Sequence, residues 1–411
     1  MSKVTVIGGG ASGIMAAIAA ARHGAQVVIL EHKDRIGKKI LMTGNGKCNL
    51  SNLSFSIDKY YSDSPKFIET VFRQFNKEDT ISFFKEIGLF IKDKNGYLYP
   101  MSEQASTVLD LLRIELKYRN VEIITACNVK KVISDSKAKQ KKCGFIIDTE
   151  KGTYLSDSVI LACGGKANPQ SGSDGSGYEL AGKFGHKVIT PLPALVQLRC
   201  VGNHFKSIAG VRCEAKLLLH IDGNLVKEEY GELQLTEYGI SGIPVFQLSR
   251  IAAKALDIHK KVIVKIDLLP AMSKELIYAF LTKTNPFPDK TVEEAMLGLM
   301  NKKLLYMLWK QNGIMPECRL CELQEKQIES LTEAIKAWTV EVSATNSFLN
   351  AQVCCGGVDC NEMKETCESR KVPGLFLTGE LLDVDGICGG YNLQWAWSTG
   401  YIAGKAAAES K

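Results

Sequence analysis

The chain is 411 residues long, 45% apolar and 23% charged, which describes a soluble globular protein too long for one core and predicts two or three domains. Its net charge of +6 comes from scattered lysines; the densest run, Lys137 to Lys142, reads as a solvated hairpin tip and lacks the arginines or aromatics of a nucleic-acid patch. No apolar run reaches the ~18 residues of a membrane span, the N-terminus opens on a strand and not on a signal peptide, and thirteen cysteines without framework spacing read as reduced thiols. A cytoplasmic protein with no membrane span and no nucleic-acid partner is expected.

Val4-Thr5-Val6-Ile7 reads as a strand running into Gly8-Gly9-Gly10-Ala11-Ser12-Gly13. An alanine-rich helix follows to His23, and a second strand, Val27 to Leu30, ends on Glu31. This is G-x-G-x-x-G inside a complete βαβ unit, with an acid eighteen residues past Gly13. Gly8 permits the tight turn, Gly10 lets backbone approach a pyrophosphate, and Gly13 lets helix and strand pack closely. The helix end then favours phosphate. Glu31 suits a ribose diol and would repel a 2′-phosphate, which disfavours NADP at this turn.

Gly37 to Asn49 crowds glycine, small polar and basic residues into a loop able to wrap a diphosphate, with Lys38 and Lys39 supplying charge. Helical patterns occupy residues 66–92 and Ser106 to Tyr118, followed by strands at Val121–Ile124, Val129–Ile133 and Thr153–Leu161. The last of these runs into Ala162-Cys163-Gly164-Gly165, a second close backbone approach. Gly172 to Gly177 reads as a loop and helix start, because it lacks the G-x-G-x-x-G spacing and a following acid. Residues 195–270 are strand-like, with a turn at Asp222-Gly223-Asn224; residues 271–340 are helical and lysine-rich, broken at Asn285-Pro286-Phe287-Pro288. Cys318 and Cys321 form one C-x-x-C without a second pair, so no metal site is expected. The domains are then 1–192 and 343–411, one cofactor domain from both chain ends, interrupted by a β-rich segment at 193–270 and a helical one at 271–342 that returns to the β-rich domain near its end.

The C-terminal stretch decides between cofactors. Leu375-Phe376-Leu377 ends at Thr378-Gly379-Glu380, and Cys388-Gly389-Gly390-Tyr391 opens a helix through to Ala408. A nicotinamide domain needs no such second cluster, and a positive helix end suits negative charge on a reduced flavin. FAD is therefore preferred over NAD as the resident cofactor.

Four stretches share one signature: Gly37–Asn49; Gly231-Glu232-Leu233 with Thr236 to Gly242; Ala351-Gln352-Val353 with Gly356-Gly357-Val358; and Gly379 through Trp397. They resemble the BaiN-type flavoproteins, NAD(P)/FAD-dependent oxidoreductases, over Val4 to about Gly404. The resemblance implies an α/β fold: a glutathione-reductase-like split FAD-binding Rossmann domain with an inserted β-barrel-like domain and a small helical domain. Relatives often carry Thr at Cys163 and Asp at Ile387.

Candidate FAD contacts are Gly8, Gly10, Ala11, Ser12, Gly13, Glu31, His32 and Lys33 at the first turn, and Lys38, Lys39, Thr43, Gly44, Gly46, Cys48 and Asn49 in the loop after it. Val129, Ala162, Gly164 and Gly165 follow, with Gly379, Glu380, Asp385, Gly389, Gly390, Asn392, Leu393 and Gln394 near the C-terminus. The resemblance further implies reduction of conjugated alkenes in 3-oxo-Δ4 and 3-oxo-Δ4,6 bile-acid intermediates, with NADH or NADPH as transient donor. Such a substrate is a small apolar enone and needs a proton at its α-carbon. Tyr391, in the turn expected nearest the flavin ring, is the first candidate donor, followed by Tyr238 and Arg250 of the inserted region. An oxidase or dehydrogenase of an amine, amino ketone or keto-steroid is the alternative.

Overall fold

The computed structural model describes residues 1–134, 144–282 and 289–410; the run Lys137 to Lys142 and the break Asn285 to Pro288 lie outside them. The chain divides into two compact units, Met1–Leu192 with Gln352–Lys411, and Pro193–Ala351.

The first unit is built on a five-stranded parallel sheet. Its order is Leu375–Leu377, Ser158–Leu161, Lys3–Ile7, Gln26–Leu30, Glu122–Ile124. Parallel strands covered on both faces are apolar throughout, and Val4, Val6, Val159, Ile160 and Leu377 are all buried. The strand beside Lys3–Ile7 comes from the middle of the chain and the next from its C-terminus, so the sheet itself unites both chain ends.

Two helices reinforce that union. Ala11–Arg22 and Tyr391–Glu409 cross at Gly400 and Gly404, where a methyl group would stand 2.4 Å from the Ser12 carbonyl oxygen and 2.1 Å from that of Ala16. Only glycine lets the helices approach so closely. Ile14, Met15 and Ile18 are fully buried in the same core, each worth roughly 1.5–3 kcal/mol.

A smaller antiparallel sheet places Tyr97–Pro100 between Ser51–Asn52 and Ile91–Lys94. The helix Lys77–Glu86 beside it starts with a capping box between Asn76 and Asp79.

The second unit is a closed six-stranded barrel, ordered Leu198–Cys200, Gly239–Ser241, Asn224–Thr236, Arg212–Ile221, Val262–Asp267, Trp338–Thr345. Asp222 and Gly223, at φ 49° and 86°, form the two-residue turn of its longest hairpin. Helices at Lys274–Leu281, Val292–Met296, Lys302–Gln311 and Glu325–Lys336 belong to the same unit. Two expectations change here. The β-rich and helical segments form one unit, because Trp338–Thr345 supplies the strand that closes the barrel; the return to the first unit comes at Gln352 and not at 343. The strand-like region also contains a helix, Ile243–Asp257, which buries Val245, Leu248, Ala252 and Ala255 at helical spacing. The whole is the expected α/β arrangement: a Rossmann-type domain split across the chain, with an inserted barrel. Among the described residues no helix is long and apolar enough to cross a membrane.

Candidate functional site

The first glycine turn has the geometry its spacing predicts. Gly8 lies at φ 105°, and a side chain there would strike the Ala162 carbonyl oxygen at 2.5 Å. A methyl group on Gly13 would stand 2.0 Å from the Gly8 carbonyl oxygen, whereas one on Gly10 would meet nothing within 4 Å. Gly8 and Gly13 therefore fit the protein to itself, and Gly10 faces open space. Gly10 also caps the helix Ala11–Arg22 without a side-chain hydrogen bond, and no acid occupies the first turn. The helix end is left to an anion.

Glu31 folds back on this turn. Its carboxylate accepts from the Gly9 N–H at 2.7 Å and from the Lys33 N–H at 2.7 Å. His32 stands beside it, with Nε2 3.9 Å from Glu31 and Nδ1 3.8 Å from Asp174. His32 Nε2 is buried and has no hydrogen-bond partner among the described residues. A polar atom left this way suits a bound hydroxyl. The loop Gly172–Asp174 closes over this strand end, a Gly172 side chain being placed 3.3 Å from His32 Nε2. Sequence reasoning saw that loop without its role. Val129 sits two residues past Cys127, whose N–H donates to the Glu31 carbonyl at 2.9 Å.

The C-terminal cluster approaches the same turn. Gly379, at φ 66°, leaves room for Ser12 Oγ, which a methyl group there would meet at 2.6 Å. Its N–H donates to Thr399 Oγ1 at 2.9 Å. Ahead of the last helix, Gly389 and Gly390 lie at φ 120° and 93°. A side chain on Gly390 would meet the Ser51 carbonyl at 2.7 Å and the Asn49 carboxamide at 2.9 Å. The Asn52 carboxamide donates to the Gly389 carbonyl at 3.0 Å. Gly390 caps Tyr391–Glu409 with no side-chain hydrogen bond and no acid in the first turn. The two glycine turns thus each leave a helix N-terminus open to negative charge.

The loop between them winds through three successive left-handed residues, Gly44, Asn45 and Gly46, with the Thr43 hydroxyl donating to the Ile40 carbonyl. Its lysines are already answered by acids. Lys39 pairs with Glu380 at 2.7 Å and donates to the Ala167 carbonyl; Lys38 pairs with Asp34. Glu380 also accepts from the Cys354 N–H at 2.8 Å. The Lys39–Glu380 pair thus ties the loop to the C-terminal turn.

Several predicted contacts prove to be supports. Gln394 is fully buried; its carboxamide accepts from Ser51 Oγ at 2.7 Å and donates to Thr80 Oγ1 at 2.8 Å, so it holds the helix and cannot reach a ligand. Asn392 bridges the Gly386 N–H and carbonyl, each at 2.8 Å. Asp385 is buried, Leu393 half-buried. Cys48 is fully buried, and burial pushes its thiol up to about 12, so it offers no thiolate. Burial likewise pushes the Cys163 thiol up to about 12. Ile387 is packed against the core.

Tyr391 is corrected most. Its hydroxyl donates to the Ser54 carbonyl at 3.0 Å, its own carbonyl accepts from Tyr60 at 2.9 Å, and it is 3% exposed. Burial pushes its phenol up. The proton expected for catalysis is committed to backbone, and the residue packs the turn. Tyr238 and Arg250 lie in the second unit. The Tyr238 hydroxyl accepts from the Asn346 carboxamide at 3.2 Å, with the Arg199 guanidinium 5.1 Å from its ring centre; Arg250 is half-buried on the helix Ile243–Asp257.

Known proteins share this organisation. The chain is 48% identical over 413 residues to the 3-dehydro-bile acid delta(4,6)-reductase of Clostridium scindens, covering all of both chains. It is 30% identical over 404 residues to the ribosomal RNA dihydrouridine synthase of Haemophilus influenzae, covering 97% of each. Among solved structures it superposes on the 3-ketosteroid delta1-dehydrogenase of Sterolibacterium denitrificans with a TM-score of 0.51 at 13% identity, covering all of both chains, a likeness of fold. Residues 2–406 match the model of the HI0933-like protein Rossmann domain, and the chain belongs to that family.

Proposed function

We propose that this protein is an FAD-dependent reductase of conjugated enones, acting on 3-oxo-Δ4 and 3-oxo-Δ4,6 bile-acid intermediates with NADH or NADPH as electron donor. The observation that carries the reading is 48% identity, end to end, with a reductase named for that substrate. The glycine geometry supports it independently. Gly8 to Gly13 and the end of Ala11–Arg22 would hold the pyrophosphate, with Glu31 and His32 at the adenosine ribose. The end of Tyr391–Glu409 would face the ring, where its dipole favours negative charge. Bound there, FAD supplies a hydride equivalent to the β-carbon of the enone. The chain's part is to orient an apolar substrate, exclude water and deliver a proton to the α-carbon.

A second reading draws on the 30% identity with a ribosomal RNA dihydrouridine synthase. Dihydrouridine differs from uridine by saturation of one carbon–carbon double bond conjugated to a carbonyl, the same reaction class on a different carrier. The dispersed lysines give this reading less support than the bile-acid reading has.

One anaerobic experiment separates them. The FAD-loaded protein is reduced with NADH or NADPH and mixed with a 3-oxo-Δ4 steroid, or with uridine-containing RNA. We expect the steroid to restore the oxidised flavin spectrum and the RNA to leave it reduced. Failure of every steroid enone would defeat the leading reading, and oxidation by RNA alone would install the second.

A further inference from the structure

With the Tyr391 hydroxyl bonded to the Ser54 carbonyl, the acid must come from elsewhere. The middle strand of the small sheet, Tyr97–Pro100, alternates strictly: Leu98 and Pro100 are buried, Tyr97 and Tyr99 half-buried on the opposite face. Both tyrosine rings look onto glycine turns of the candidate site. A side chain on Gly389 would stand 2.8 Å from Tyr97 Cε1, and one on Gly44 would stand 3.3 Å from Tyr99 Cε1. One face of one short strand therefore spans the loop Thr43–Asn49 and the turn before the last helix.

Their hydroxyls differ from those nearby. Tyr60, Tyr178 and Tyr391 each donate to a backbone carbonyl. Neither Tyr97 nor Tyr99 has a hydroxyl hydrogen bond among the described residues. The two are distinguished by their surroundings. Tyr99 is half-buried beside the Glu103 carboxylate and Lys47, and burial, with Tyr97 next, pushes its phenol up. Tyr97 instead abuts Gly389, next to the glycine that caps Tyr391–Glu409. A helix end without a side-chain cap favours negative charge beside it.

We infer that Tyr97 is the proton donor of the reduction, a reading that rests on the enone-reductase function proposed above. After the β-carbon has accepted hydride from the reduced flavin, the substrate is an enolate. The Tyr97 O–H bond breaks, a C–H bond forms at the α-carbon, and the enolate electron pair becomes that bond. The phenolate is reprotonated from solvent. The double bond is consumed, and two electrons and two hydrogens are gained by the substrate.

The test uses FAD-loaded wild type, Tyr97→Phe and Tyr391→Phe. We expect Tyr97→Phe to retain FAD, to perturb the flavin spectrum on binding a 3-oxo-Δ4 steroid at a dissociation constant within about threefold of wild type, and to accept electrons from NAD(P)H normally. Flavin reoxidation by the enone should slow about 10²–10⁴-fold, the span of one lost general acid, with reoxidation by oxygen unchanged. Tyr391→Phe should reoxidise with enone at the wild-type rate. An unslowed Tyr97→Phe overturns the assignment alone, whereas a wild type that no enone reoxidises removes the functional reading with it. Should Tyr97→Phe lose FAD, 3-fluorotyrosine at position 97 decides. Its more acidic phenol must shift the alkaline limb of the enone step to lower pH, and an unmoved limb overturns the proposal.

Discussion

The first unit carries two glycine turns that each cap an open helix end, and their neighbours could hardly differ more. Gly8 to Gly13 is surrounded by backbone, Ala162, Ile36 and the Glu31 carboxylate, with no hydroxyl or amide side chain among its nearest atoms. Gly389 and Gly390 are surrounded by Tyr97, Asn52, Asn49, Ser51 and Tyr391. The same device, an uncapped helix N-terminus, thus serves two ends. The first turn offers backbone N–H groups and a helix end to a fixed charge, and its one close acid, Glu31, is already bonded to the Gly9 and Lys33 N–H groups. The second combines a positive end with hydroxyl and amide groups, the ingredients of chemistry. Charge binding needs only glycine, and reaction needs glycine plus a lining.

Substitutions that add one methyl group test this contrast in order of effect. At Gly13 the added carbon would stand 2.0 Å from the backbone of Gly8, where neither partner can yield without unwinding the helix start. We expect Gly13→Ala to cost about 1–3 kcal/mol in stability, a fall of roughly 2–10 °C in Tm, with complete loss of FAD. At Gly390 the clash is with the Ser51 carbonyl at 2.7 Å, and φ 93° adds strain of about 1–2 kcal/mol. Gly390→Ala should lower Tm by a comparable or smaller amount. It should leave FAD bound but slow its reoxidation by enone, because the lining shifts while the phosphate turn does not. Thermal melts and flavin content measured on both variants would refute the contrast if the two lost cofactor equally.

Gly10→Ala separates fold from ligand. Its φ of −82° is ordinary, and an added methyl meets no protein atom within 4 Å. Apoprotein stability should change by no more than about 1 kcal/mol, the scale of a poorer cap. FAD affinity should fall at least about tenfold, equal to about 1.4 kcal/mol, because the methyl group points where the pyrophosphate would lie. Equilibrium titration of apoprotein with FAD measures this. Unchanged affinity would move the phosphate site away from the turn.

How far the sequence reached follows the same division. The first turn was legible because strand, glycines, helix and acid are local and fall within the first thirty-one residues. The C-terminal turn was legible as a glycine cluster, but its lining was not. Tyr97 reaches Gly389 across nearly three hundred residues of chain, and no periodicity announces such a contact. Tyr391 was favoured for being next to the glycines in sequence, and that proximity is what buries it: the turn folds its ring against Tyr60. Gln394 reads as a polar group near a helix start and is instead a buried brace to Ser51 and Thr80. A return to the β-rich domain near residue 342 was expected, but the pairing of Trp338–Thr345 with both Leu198–Cys200 and Val262–Asp267 was hidden for the same reason of separation. The helix Ile243–Asp257 was legible at Val245, Leu248, Ala252 and Ala255, and was obscured only by the β-branched and aromatic residues around it.

The smallest expected effect concerns acid, and it should touch one turn and spare the other. Glu103 follows the strand of Tyr97 and Tyr99 and accepts from Lys47 at 2.5 Å and from Lys92. The two lysines hold its carboxyl at about 2, below the ordinary value of about 4.5. A depressed folded pKa means that the stabilisation is fully present above the ordinary value and is lost as pH falls towards about 2. Lys47 belongs to the loop Thr43–Asn49, so protonation frees one edge of the second turn, whereas the first turn contains no such pair. The group is solvent-exposed, so the gain is small and screened by salt. Wild type should exceed Glu103→Gln in urea midpoint at neutral pH by a modest margin. The margin should close between about pH 4.5 and 2 and shrink at high salt, while FAD affinity of the two proteins at neutral pH stays equal. A margin that persists in acid would show that Glu103 acts through packing and not through its charge.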